Sequence, residues 1–270
     1  MVRYLAAAVQ MASGADRAAN LARAADLVRA AAARGARLVV LPEVFAWRGP
    51  REAEAAAAEP VPGPTTEAMA AVARETGVHL CMGSLLEAVA GAERPYNTSC
   101  LLDPRGALLA RYRKIHLFDV DLPGRVAVRE SDTRAPGTDV VVVPTALGAL
   151  GLSVCYDLRF PELYRRLARA GAEVLLVPSA FTFPTGAAHW EVLCRARAIE
   201  NQCYVVAADQ TGRSPAGHLD WGDSLIADPW GRVLARAGDG EGLAVAEIDR
   251  ARLARVRREL PCLAHARLSG

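Results

Sequence analysis

Hydrophobic positions fall into two patterns along the chain. Short unbroken apolar blocks suit strands covered on both faces, and longer stretches between them place apolar residues at helical spacing. Residues 4–11 predict a buried strand, 17–34 an Ala-rich helix stopped by Gly35, and 36–42 a second buried strand, together a βαβ unit. A helix over about 66–76 ending at Gly77 follows, then strands near 78–86, 96–102 and 107–113, the last two joined by the turn Asp103-Pro-Arg-Gly106. Residues 115–137 are polar and aperiodic, with Pro123, Gly124, Pro136 and Gly137, and predict a long loop of the kind that carries function. Strands are expected at 139–143 and 150–154, a helix from Pro161 to about Ala170 closed by Gly171, a strand at 173–178, a helix over about 187–200 and a strand at 203–208. The chain closes with a strand, the turn Asp228-Pro-Trp-Gly231, two further strands and a basic helix.

The two halves echo each other. Gly35-Ala-Arg-Leu-Val-Val-Leu-Pro-Glu-Val-Phe45 matches Gly171-Ala-Glu-Val-Leu-Leu-Val-Pro-Ser-Ala-Phe181, and the two Asp-Pro-x-Gly turns come in similar order. Such a long period excludes a solenoid and points to two similar α/β halves, their Val- and Leu-rich sheets packed face to face with helices outside. Chance similarity of two buried strands is the competing explanation.

Composition narrows the class. At 270 residues, 52% hydrophobic and 23% charged, with nothing resembling a linker in the middle, the chain reads as one domain, core about 4–249 and a helical tail over about 250–270. Its 32 basic and 30 acidic residues leave a formal charge of +2, which gives no electrostatic footprint for nucleic acid or an anionic membrane. The basic run from Arg250 to Arg258 carries Leu253 and Val256 at helical spacing and predicts a solvated helix face. The opening apolar run is too short to span a bilayer and has no evident cleavage site, and the six cysteines are scattered, so reduced thiols in a cytoplasmic protein are expected.

Three positions stand where chemistry is usually placed. Glu43 sits just past the carboxyl end of a buried strand, the edge at which open α/β sheets bind ligands, and is either a proton acceptor or a solvated carboxylate. Cys155 ends the run Leu150-Gly-Leu-Ser-Val154 at a strand-to-helix junction, where a sharp turn exposes a side chain and aims backbone N–H groups at an oxyanion; a small apolar core residue is the alternative. Lys114 ends another strand, with His116 on its face if the strand continues; a lone lysine there is solvated, but beside a cysteine its charge favours the thiolate and binds an oxyanion.

Taken together, Leu41-Pro-Glu-Val-Phe45, Tyr112-Arg-Lys-Ile-His116 and Ser153-Val-Cys-Tyr-Asp-Leu-Arg-Phe-Pro-Glu162 resemble the nitrilase superfamily of carbon–nitrogen hydrolases, in order and along nearly the whole chain. Ala188-His-Trp-Glu191, Ala196-Arg-Ala-Ile-Glu-Asn201 and Asp228-Pro-Trp-Gly231 extend the resemblance toward the Nit-protein branch. It implies a four-layer αββα sandwich, a catalytic set of Glu43, Lys114 and Cys155, a second glutamate at Glu130, and a homo-oligomer. The implied reaction is hydrolysis of a small carboxamide to carboxylate and ammonia through a cysteine thioester, with Tyr156 contributing a backbone N–H. Arg159 is a candidate for a substrate carboxylate, and His189 and Trp190 for the pocket wall.

No cofactor is called for, and the histidines show no zinc-ligand spacing. The chain departs from the family pattern at Gly222-Asp-Ser224, where Asp223 replaces the usual His and puts the local loop in question. Within the superfamily, the segment from Phe181 to Trp190 looks most like the branch that cleaves deaminated glutathione, ahead of ω-amidases acting on 2-oxoglutaramate, carbamoyl-amino-acid hydrolases and aliphatic amidases. A nucleotide-binding or scaffolding α/β module is the reading of another class, and the chain lacks the glycine-rich phosphate cradle it needs.

Overall fold

The apolar blocks do form the strands at the centre of the molecule, and their alternation sorts side chains to two sides. In the computed structural model, which describes residues 3–124 and 126–268, Tyr4, Ala6, Ala8, Leu38 and Val40 face a core shared with the second half of the chain. The intervening Ala7, Val9, Val39 and Leu41 face the helices Arg17–Ala33 and Pro64–Thr76 through Leu27, Val28, Met69 and Val72. Strands apolar on both sides belong between layers. On the far side of the shared core, the second sheet turns Gly151 and Leu175 toward Leu167 of the helix Pro161–Arg169, Ser153 hydrogen-bonds Tyr164 of that helix, and the helix Phe183–Asn201 packs beside it, with Trp190 and Cys194 buried. The layers run helix, sheet, sheet, helix.

Topology repeats between the halves. The first sheet, seven-stranded, holds Arg3–Gln10, Ala36–Val40 and His79–Cys81 as parallel neighbours, flanked by antiparallel Gly242–Asp249 on one side and Tyr96–Leu102 on the other. The six-stranded second sheet holds Gly148–Leu152, Val174–Ser179 and Tyr204–Asp209 as parallel neighbours, flanked by antiparallel Val142–Thr145 and Leu225–Ala227. Asp103-Pro-Arg-Gly106 and Asp228-Pro-Trp-Gly231 connect equivalent strand pairs. The internal echo therefore reflects two copies of one topology.

Four expectations change. The strand expected at 139–143 lies at Val142–Thr145, and the single strand expected ahead of Asp228 is three, Thr211–Arg213, Leu219–Trp221 and Leu225–Ala227. The apolar stretch 78–86 is two short strands, His79–Cys81 and Leu85–Glu87, because Gly83 at φ +61° bends the chain against the loop after Leu41; a Cβ there would lie 1.9 Å from the carbonyl oxygen of Pro42. Within the polar stretch 115–137, Asp119–Leu122 and Val126–Arg129 form a hairpin and Glu130–Asp132 a short 3-10 turn. The alternation Asp119-Val-Asp-Leu122 ahead of Pro123-Gly124 is a strand-and-turn signal, but at four residues per strand it was too short to stand out from the polar stretch around it.

Candidate active site

The edge where both sheets end carries the site. Glu43 follows the strand Ala36–Val40, and its backbone N–H donates to the carbonyl of Ser179 at the end of the matching strand in the other sheet, 3.2 Å away. Cys155 opens a 3-10 turn, Cys155–Arg159, and has φ +48°, a conformation that costs a non-glycine residue energy and is retained where surrounding structure enforces it. Asp157 supplies that enforcement. Its Oδ2 accepts from the Val154 N–H at 2.9 Å and from the Tyr112 hydroxyl at 2.7 Å, and its Oδ1 accepts from the His116 N–H at 3.1 Å. One wholly buried carboxylate thus ties the cysteine turn to the residues on either side of Lys114.

Lys114 is buried between two carboxylates. Its Nζ donates to Glu43 Oε1 at 2.9 Å and to Glu130 Oε2 at 2.7 Å. Asn97, fully buried, donates Nδ2 to the same Glu43 Oε1 at 2.8 Å and to Glu130 Oε1 at 3.1 Å. Glu130 also accepts from the Phe118 N–H and from Arg134, each at 2.7 Å, and Arg134 pairs in turn with Glu54 at 2.7 Å. Burial opposes the charge of Glu130, yet Lys114 and Arg134 hold its carboxyl well below the ordinary range; burial likewise opposes Lys114, and Glu130 and Glu43 raise it above its ordinary value. These groups form a pre-set charged network.

Lys114 acts on the thiol in the direction expected from sequence, against two stronger influences. Burial first, and then the carboxylate of Glu43, push the Cys155 thiol well above its ordinary pKa, outweighing Lys114 and the Ala180 N–H, which act in the opposite direction. The charge of Lys114 is shared with Glu43 and Glu130. The hydrogen bond between the Cys155 thiol and Glu43 acts in the same direction as burial.

These groups meet at a cavity of about 170 Å³ lined by Glu43, Lys114, Glu130, Cys155, Tyr156 and Arg159, among others. Arg159 stands over the rings of Tyr156 and Phe181, 5.8 and 5.4 Å from their centroids. His189 and Trp190 are outside the lining: the helix starts at Phe183, earlier than its pattern suggested, which turns Trp190 into the core, with its Nε1–H on the Asp223 carbonyl, and leaves His189 exposed, 3.3 Å from Arg159. Asp223 also lies away from the cavity, paired with Arg236 at 2.7 Å. His116 has left the strand, which ends at Arg113, and stacks on Phe160 at 3.7 Å. Asn97, Asp157, Arg134 and Glu54 were not singled out from sequence; only Asp157 lies inside a recognised motif. Among the described residues no three His, Cys, Asp or Glu side chains are grouped to hold a metal ion.

Asp157→Ala would leave the Val154 N–H, the Tyr112 hydroxyl and the His116 N–H without their acceptor, at about 1–3 kcal/mol for each orphaned group. We expect a fall in the urea midpoint together with a lower kcat as the turn relaxes. A variant with wild-type stability and kcat would remove Asp157 from this role.

Residues 5–258 match the carbon-nitrogen hydrolase family. The deaminated glutathione amidase of Synechocystis is 46% identical over 268 residues, 98% of either chain, and the human omega-amidase NIT2 is 39% identical over 97% of this chain and 94% of its own. Among solved structures, the NitFhit protein of C. elegans superimposes with a TM-score of 0.90 at 39% identity, covering 98% of this chain and 65% of that longer one.

Proposed function

Because the chain belongs to the carbon-nitrogen hydrolase family and is an amide-cleaving member of the nitrilase superfamily, we propose that Cys155 attacks the amide carbonyl, with Glu43 as its base. The observation that carries this reading is the strained turn holding the Cys155 thiol at the cavity, hydrogen-bonded to Glu43 and beside Lys114. Glu43 Oε1 is taken up by Lys114 and Asn97, so we assign the proton transfers to Oε2.

As sulfur bonds to the carbonyl carbon, Glu43 takes the thiol proton, and Lys114 Nζ and the Tyr156 N–H hold the oxyanion. Glu43 passes its proton to the departing nitrogen and a thioester remains. Glu43 then takes a proton from water, hydroxide adds to the thioester, and the acid product leaves as the thiol is restored. Glu130 keeps Lys114 charged and in position.

For the substrate we propose deaminated glutathione, supported by the 46% identity to a relative of that activity, with 2-oxoglutaramate as the second choice on the omega-amidase likeness. N-carbamoyl amino acids and aliphatic amides rank behind both. Arg159 is the cation we assign to a substrate carboxylate. Glutathione contains no primary amide, so cleaving its deaminated form frees an amine-bearing fragment, and the ammonia anticipated from sequence applies to 2-oxoglutaramate. The test is therefore product analysis for released amine and ammonia across these amides; turnover of none of them would sink the reading.

The two sheets share one core, which supports one hydrolase domain acting as a unit. Val192 and Ile199 on the helix Phe183–Asn201, with Trp230, present an exposed apolar face that supports a homo-oligomer. No described helix is long and apolar enough to cross a membrane. Six unpaired cysteines support a reducing, cytoplasmic setting.

A further inference from the structure

We infer that the cavity wall formed by the hairpin of strands Thr211–Arg213 and Leu219–Trp221 is a recognition subsite for a carboxylate of the amide substrate, with Ser214 and His218 as its contacts. The inference rests on the amidase reading and adds a specificity element to it.

The hairpin tip supplies Ser214, Pro215, Ala216 and His218 to the same cavity as Cys155. It is a fixed wall. Ser214 N–H donates to the His218 carbonyl at 2.8 Å and Gly217 N–H to the Ser214 carbonyl at 2.9 Å, closing the tip. Its base is moored by the Trp221 N–H on the Phe181 carbonyl at 2.7 Å, and by Arg48, which pairs with both oxygens of the buried Asp220. Phe181 follows Ala180, whose N–H faces the Cys155 sulfur, so the hairpin is tied to the reacting centre through one strand end.

Ser214 is 4% exposed, and its hydroxyl has no hydrogen-bond partner among the described residues. Buried polar groups are nearly always satisfied, and each exception requires an explanation. Rotation about one bond turns this hydroxyl toward a group seated in the cavity. His218 is partly exposed, and its Nε2 lies 3.7 Å from Asp220 Oδ1, beyond hydrogen-bond distance, so it retains capacity to donate. The carboxylates nearby already accept hydrogen bonds: Asp220 from Arg48, Glu43 Oε1 from Lys114 and Asn97, and Glu130 from Lys114, Asn97 and Arg134. The Ser214 hydroxyl and a ring N–H of His218 can both donate, and the strongest acceptor an amide substrate can bring to two donors is a carboxylate.

The experiment compares wild type, Ser214→Ala and His218→Leu on two anionic amides, 2-oxoglutaramate and deaminated glutathione, and on the neutral butyramide. For Ser214→Ala the expected result is a KM about tenfold higher or more on whichever anionic amide the wild type uses, with kcat, butyramide kinetics and Tm unchanged, since a hydroxyl without a partner has no bond to lose. His218→Leu is expected to share the KM effect. Equal slowing on anionic and neutral amides, or no change in KM with either variant, would overturn the subsite. Wild type inactive on all three would instead count against the amidase reading itself.

Discussion

Replacing Cys155 with Ala is expected to lower kcat on the best amide by on the order of 10⁴–10⁶-fold, the loss typical of removing a covalent nucleophile, while the fold survives. The sulfur is buried beside Glu43, Lys114 and the Ala180 N–H, and loss of one small atom leaves Asp157 still holding the Val154 N–H and the Tyr112 hydroxyl. Tm measured alongside activity separates lost chemistry from lost structure. Retained turnover would exclude Cys155 as nucleophile, and unfolding would show that the thiol is needed for packing.

Lys114→Met is expected to act on stability and activity together. Without the ammonium, Glu43 and Glu130 face each other with one fewer cation between them, and breaking a buried pair costs about 3–5 kcal/mol. Removing an oxyanion donor adds a loss on the order of 10²–10³ in kcat. The pH dependence gives an independent check. The carboxyl of Glu130 is held below its ordinary value in the folded protein, so its stabilisation is present above the unfolded-state value of about 4.3 and is lost as the pH falls below it. Lys114→Met weakens the cause of that depression, so the acid limb of stability should flatten in the variant. Urea midpoints measured between neutral and acid pH read this directly, and an unchanged limb would mean that Lys114 does not set the charge of Glu130.

The architecture was legible because a doubly covered sheet leaves an unmistakable mark. Runs such as 36–42 and 173–178 are apolar on both faces, and their repetition with matching Asp-Pro-x-Gly turns anticipated two halves of one topology. The residues proposed to react were legible for another reason: Glu43 and Cys155 lie just past the ends of the strands Ala36–Val40 and Gly148–Leu152, and Lys114 follows the last residue of another. What escaped was the support. Asn97 lies within the strand Tyr96–Leu102 and looks like any polar strand residue, and only folding brings its amide onto both Glu43 and Glu130. Glu54 and Arg134 are 80 residues apart, and no local pattern joins them. The ammonium of Lys114 acts on the thiol in the expected direction, and what the sequence did not reveal is the burial and the Glu43 carboxylate that outweigh it. His189 and Trp190 were expected to open a helix at the pocket, but the helix begins at Phe183 and carries them within it, with Trp190 buried in the core.

The most direct test of the account is to capture the acyl group. Wild type and Glu43→Gln, the latter to slow water attack, are mixed briefly with deaminated glutathione or 2-oxoglutaramate, quenched in acid, and analysed as intact protein and as peptides. The account predicts a mass increase equal to the acyl moiety, located on the peptide that contains Cys155 and absent from Cys155→Ala. The same adduct mapped to any of the other five cysteines, or retained in Cys155→Ala, would contradict it.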